Sequence, residues 1–368
     1  MKRQDDVEQF SAQKDAPARA VPVGGAGEAA LHFPKEKLDC ARCEQRLVLG
    51  IFFDGTGNNR DADLPRFAHS NVARLYAAYP NALDEGYGRV YIPGVGTPFD
   101  EVRDKGGTLG NAFGAGGEAR ILYALLSLFN AVDNWKVGKK RVNPGAFFNP
   151  QQMRALCANE PLYKRSQGEG QAELASLSEE DLAVLKSLDE GSQRVAGEPL
   201  NMHEKGGLLN PSIGRNRWRE DFFDKQIERL TEKLSKAAYP ALKEITLDVF
   251  GFSRGAAQAR AFCNHLFALL AEDGGHKLFG VTFSLRFLGL FDTVASVGVQ
   301  TGMFGYTTGH SAWADPDAMG GLTIHHKVHW CEHFIAMHEN RASFPVDRAT
   351  GLGGKATNED QMHWEQRA

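Results

Sequence analysis

Dense apolar runs alternate along the chain with stretches whose apolar residues recur at helical spacing. The first run, Leu47 to Phe53 in RLVLGIFFDGTGNN (46–59), predicts a strand buried on both faces, and Asp54-Gly55-Thr56-Gly57-Asn58-Asn59 after it is turn chemistry. SNVARLYAAYP (70–80) predicts a helix with Ser70 as N-cap, and GRVYIPGVGT (88–97) a second strand ending in a glycine turn. The 118–135 stretch, EARILYALLSLFNAVDNW, reads as a helix lying on the sheet. After residue 215 the order repeats: a long amphipathic helix (216–239), the strand EITLDVFGF (244–252), the helix RGAAQARAFCNHLFALLAE (254–272) and the strand FSLRFLGLFDT (283–293). Near-continuous apolar strands separated by helices predict an α/β fold, with a mainly parallel sheet covered by helices on both faces.

Two regions break this rhythm. Residues 1–44 are polar and Ala/Gly-rich around VPVGGAGEAA and read as a loosely ordered arm. Residues 136–215 carry charge runs such as LSEEDLAVLKSLDEGSQR and no strand pattern, which predicts an insertion with a few short helices in a domain spanning 45–368. That insertion would serve either as a lid or as an inert surface excursion. KVHWCEHFIAMHENR (327–341) is expected to be helical, and no strand is expected after residue 345.

Composition narrows the function. The net charge of -4, with no basic helix, argues against nucleic acid as a partner. No apolar stretch approaches the ~20 residues of a membrane span, and the N-terminus is too polar for a secretory signal. Five cysteines form no disulfide framework and suit a reducing compartment. Cys40 and Cys43 in CARC make half a zinc or redox site, or a surface turn holding two thiols. No H-E-x-x-H motif is present, and neither metal nor cofactor is expected.

The chemistry concentrates at GFSRG, residues 251–255, where a strand runs directly into a helix. That is the context of a G-x-S-x-G nucleophile elbow, in which small neighbours let a strained turn lift Ser253 clear of the sheet. The Arg254 N–H at the head of the next helix would be one oxyanion donor, and the Gly55-Thr56-Gly57 turn would supply a second. Asp54 would orient that turn or only stabilise it. In this fold order the acid follows the serine, and Asp292, closing the apolar run LRFLGLFD, fits as the triad acid or as a helix cap. Downstream histidines are His310, His325, His326, His329, His333, His338 and His363. His338 is the candidate base, with several of the others read as surface or packing residues.

FFDGTGNN, GVGT, GFSRGAAQAR, LGLFDTVASVG and HFIAMHENRASFP resemble, in order, the signatures of the type VI secretion phospholipase effectors of the first lipase family. The resemblance covers roughly residues 45–348. It implies an α/β-hydrolase domain, made without a signal peptide and exported as a toxin, whose Ser-Asp-His site cleaves an acyl ester of membrane phospholipid. Secretion-spike and immunity proteins are the implied partners. By position, Ser253 matches the family nucleophile, Asp292 the triad acid, and Asp54-Gly55-Thr56 the loop near the oxyanion hole. The family histidine lies beyond the HENRASFP-like segment in a motif close to P-G-V-H-S-D, which this sequence lacks. His338 matches a different family position, and His363 lies at a better distance without the motif. A truncated effector, a base supplied by a neighbouring chain, or a non-catalytic binding module are the alternatives this leaves.

Overall fold

A computed structural model describes residues 44–107, 116–136, 146–158, 166, 168–183, 217–236, 241–270, 276–295, 322–336 and 364–367. The arm 1–43 with Cys40 and Cys43, the candidate base His338, and also His310 and His363 lie outside them. Strands β1 (Glu44–Phe53), β2 (Tyr87–Ile92), β3 (Ala241–Phe252), β4 (Lys277–Leu278), β5 (Val281–Phe291), β6 (Val328–Phe334) and β7 (Trp364–Arg367) form one sheet. Its order is β2-β1-β3-β5-β6-β7, with all neighbours parallel, and β4 joins β5 as a short antiparallel hairpin.

Alternation along β1 sends successive side chains to opposite faces. Phe52 meets Tyr76 and Tyr79, in and just after α2 (Asn71–Ala78), at edge-on geometry. Phe53 turns the other way, onto Phe262 of α7 (Arg254–Leu269). Helix α1 (Arg60–Asp63) is a single turn, capped by Asn59. On the Phe53 side α3 (Gly117–Lys136) lies beside α7 and meets α6 (Arg217–Ser235), where Lys233 pairs with the buried Asp133 at 2.6 Å. Ser70 caps α2 by accepting the Ala73 N–H, as the sequence predicts.

Within 136–215 the described residues include α4 (Pro150–Cys157) and α5 (Glu169–Ala175). Phe148 and Met153 join the main core, and Asn130 of α3 pins the Phe148 backbone through both its amide groups. No described helix is long and apolar enough to cross a membrane.

The structure corrects the sequence reading twice. The first part of KVHWCEHF is strand β6, paired with β5 from Leu285↔Val328 to Phe291↔Phe334, and not a helix. The i, i+4 spacing of His329 and His333 misled because residues four apart share one face of a strand as well as of a helix. The second correction is β7, Trp364–Arg367, in a tail expected to be strandless. Four polar-rich residues carry no apolar alternation, and a strand at a sheet margin does not require it.

One buried cation organises the loop after β2. Arg120 of α3 is fully buried, and its guanidinium donates to the carbonyls of Pro93, Gly94, Thr97 and Gly116 and to the carboxylate of Asp104. Burial pulls its pKa down and Asp104 opposes this, but an arginine remains charged. Removing it would orphan several buried acceptors at once. Arg120→Leu is expected to lower stability by roughly 3–5 kcal/mol in chemical denaturation; a loss under about 1 kcal/mol would mean that the clamp is dispensable.

Candidate active site

The end of β3 turns into α7 with no loop between them, so Ser253 must reverse the chain alone. It adopts φ 55°, ψ -125°, a region that non-glycine residues rarely occupy. Both flanking glycines are required by space. A Cβ on Gly251 would lie 2.5 Å from the Cα of Ala256, and one on Gly255 would lie 2.3 Å from the Asp54 carbonyl oxygen and 2.5 Å from that of Phe53. Helix α7 therefore begins in contact with the end of β1. The turn is tied to β5 as well: Ser253 N–H donates to Phe291 O at 2.8 Å, and Ser253 O accepts from Val294 N at 3.2 Å.

The residue after the serine is Arg254, whose side chain is 2% exposed and whose guanidinium burial pushes down to about 10. Its N–H heads α7, at the positive end of the helix.

Across from the elbow lies the turn after β1. Asp54 is buried, and its Oδ1 accepts the Gly55 N–H at 2.7 Å and the Ser70 hydroxyl at 2.6 Å, while Oδ2 accepts the Tyr91 hydroxyl at 2.6 Å. Burial raises its pKa, and the three hydrogen bonds work in the opposite direction. Its carboxylate is thus directed into its own loop. Gly55 N–H is committed to that carboxylate and Gly57 N–H to Val95 O at 3.0 Å. Thr56 is the member of Gly55-Thr56-Gly57 whose N–H has no hydrogen-bond partner among the described residues, and its hydroxyl oxygen is buried and unpartnered too. Of the residues expected to line an oxyanion site, Gly55 is excluded as a donor, because its N–H already has an acceptor.

Asp292 follows β5 directly and has φ 44°, a second non-glycine residue with positive φ beside the first. Its N–H donates to Phe334 O at 2.8 Å, and its Oδ1 accepts the Ala336 N–H at 2.5 Å. Ser253 bonds to the residue before Asp292 and to the second residue after it, so both lie just past the last rungs of adjacent strands, at the carboxyl edge where open α/β sheets bind ligands. Neither Ser253 nor Asp292 has a histidine partner among the described residues.

Nothing in the sequence marks Tyr91 or Ser70 as anchors of Asp54. Ser70 was visible only as a helix cap, and it does both jobs with one oxygen. A cleft of about 610 Å³ opens at the β2 margin, lined among others by Arg60, Tyr76, Tyr91, Phe99 and Tyr123; neither Ser253 nor Asp292 reaches it. Among the described residues no cluster of His, Cys, Asp and Glu could hold a metal ion.

The described residues thus define an α/β protein with a strained serine elbow and an adjacent aspartate turn at the carboxyl edge of a mainly parallel sheet. Residues 270–366 match the family model of the catalytic domain of Tle1-like phospholipase effectors of type VI secretion systems, so the resemblance to those effectors read from the sequence is borne out there. An uncharacterized protein from Pseudomonas aeruginosa has a crystal structure similar to 89% of this chain, at 26% identity and TM-score 0.57. The chain spans 41% of that protein's length. A Tle1 effector solved in complex with the VgrG spike of a type VI system aligns over 84% of this chain and 48% of its own, at 19% identity and TM-score 0.32, a likeness too distant to argue from. No curated protein matches the chain.

Gly255→Ala should disrupt the elbow through its clash with the β1 carbonyls, lowering stability by about 1–3 kcal/mol in thermal or denaturant unfolding. A neutral result would mean that α7 does not approach β1 as closely as drawn.

Proposed function

We propose that this chain carries the catalytic elbow of a serine ester hydrolase acting on membrane phospholipid, on an α/β-hydrolase-like scaffold. The observation that carries the reading is the conformation of Ser253, a non-glycine residue held at φ 55° where strand meets helix. Such strain persists where surrounding structure over-determines it, and it clusters at functional sites. Ser253 would attack the ester carbonyl. The Arg254 N–H and the Thr56 N–H would stabilise the oxyanion, with Asp54 fixing the loop that presents Thr56. Asp292 would orient the imidazolium of the base and hold its tautomer. The base is assigned to a histidine outside the described residues, His338 or His363, or to a residue supplied in trans.

The substrate class rests on the Tle1-like match of residues 270–366, which covers the β5 acid turn and β6. From the same likeness come the remaining proposals: delivery into target cells by a type VI system, a secretion-spike carrier and a neutralising immunity protein. No metal or cofactor has a place in this mechanism.

Turnover of a short-chain ester and of phospholipid vesicles by the purified 368-residue chain is the test. Ser253→Ala should abolish hydrolysis with unfolding unchanged, since a small residue suits the elbow. Asp292→Asn should lower kcat by up to about 10⁴-fold, because the amide favours the wrong histidine tautomer. Activity in Ser253→Ala equal to that of the parent would remove the serine from the mechanism, and a folded but inert parent would favour a binding module.

A further inference from the structure

The turn that carries Asp292 is held from one side by the end of β6. Three hydrogen bonds cross that junction: Asp292 N–H to Phe334 O at 2.8 Å, Ala336 N–H to Asp292 Oδ1 at 2.5 Å, and Thr293 N–H to His333 Nε2 at 3.1 Å. In the third, the acceptor is a side chain of β6 itself. His333 is 1% exposed, and Thr293, whose N–H it receives, is fully buried. A backbone N–H buried at such a site and left without an acceptor would carry the full cost of its desolvation.

We propose that His333 is the positioning residue of the carboxylate, a neutral imidazole whose Nε2 lone pair holds the Thr293 N–H and thereby keeps Asp292 in its left-handed conformation. The inference rests on the serine-hydrolase reading. Because Nε2 accepts, the ring proton sits on Nδ1. The same bond sets His333 apart from a general base, since the lone pair that would take a proton from serine is already occupied. Backbone bonds hold the turn at Asp292 N–H and at Val294 N–H, Ala336 N–H holds the carboxylate, and the N–H between the two backbone anchors, that of Thr293, is tied by His333. With Asp292 at φ 44°, a strained position for a residue with a side chain, releasing Thr293 would let the backbone relax and swing the carboxylate from its place.

Two substitutions separate positioning from packing. His333→Phe keeps an aromatic ring of similar size and removes the acceptor, whereas His333→Gln places an amide oxygen close to where Nε2 lies. Kinetics of ester hydrolysis should show kcat lowered about 10- to 100-fold in His333→Phe with KM nearly unchanged, by analogy with the loss seen when groups that orient metal-ligating side chains are removed, and most of it recovered in His333→Gln. Thermal unfolding is measured alongside. If the parent turns over substrate and His333→Phe matches it, or if His333→Gln is as impaired as His333→Phe, the positioning role is overturned while the serine-hydrolase reading stands. If the parent is inert, that reading fails, and the placement of Asp292 is decided by ¹³C NMR titration of its carboxyl in the same proteins. A titration displaced in His333→Phe and restored in His333→Gln supports the role; one unmoved in both refutes it.

Discussion

Everything at the carboxyl edge depends on one close approach, that of α7 to the end of β1. A chain that leaves β3 and enters a helix without a loop needs a residue in a left-handed conformation, and Ser253 supplies it at φ 55°. The approach is possible only because residue 255 lacks a Cβ where the carbonyls of Phe53 and Asp54 make contact, and Gly251 leaves the matching room between the end of β3 and the first turn of α7. The consequence is chemical. The serine is lifted out of the ladder, and the positive end of α7 is brought level with the loop after β1.

That loop is itself fixed from below. The Gly55 carbonyl leaves no room for a side chain on Gly94, and Gly94 N–H bonds to Asn58 O at 2.9 Å, so the turns after β1 and β2 are built against each other. Arg120 then gathers the carbonyls of the β2 turn around a buried charge, while Asp54 gathers two hydroxyls and its own loop's N–H around another. Two buried ionisable groups, each enclosed by hydrogen bonds, tie the turns of this edge together. Such over-determination is what lets a strained serine persist. On the other side the end of β6 does the same for Asp292, with backbone groups and the imidazole of His333.

Much of this was legible in the chain. The apolar runs at Leu47–Phe53, 244–252 and 283–291 read as buried parallel strands because both their faces are covered, and GFSRG between strand and helix reads as an elbow for the same steric reasons that hold at Gly251 and Gly255 in the fold. β6 did not read as a strand, because four-residue spacing is common to both periodicities, and β7 offered no pattern at all. The commitments within the 54–59 turn were equally hidden. Which N–H is free depends on Tyr91 and Ser70, which come from β2 and the start of α2, and no local signal announces a partner 37 residues away. His333 was hidden for a related reason: a histidine that accepts from a backbone N–H looks, in sequence, like any other.

The central claim is that Ser253 is an activated nucleophile, and the most direct test is fluorophosphonate labelling of the folded protein followed by peptide mass spectrometry. Rapid incorporation of a single phosphonyl group on the peptide containing GFSRG, at Ser253, is the predicted result. Absence of any adduct in a protein that unfolds cooperatively, or an adduct on another serine, would contradict it.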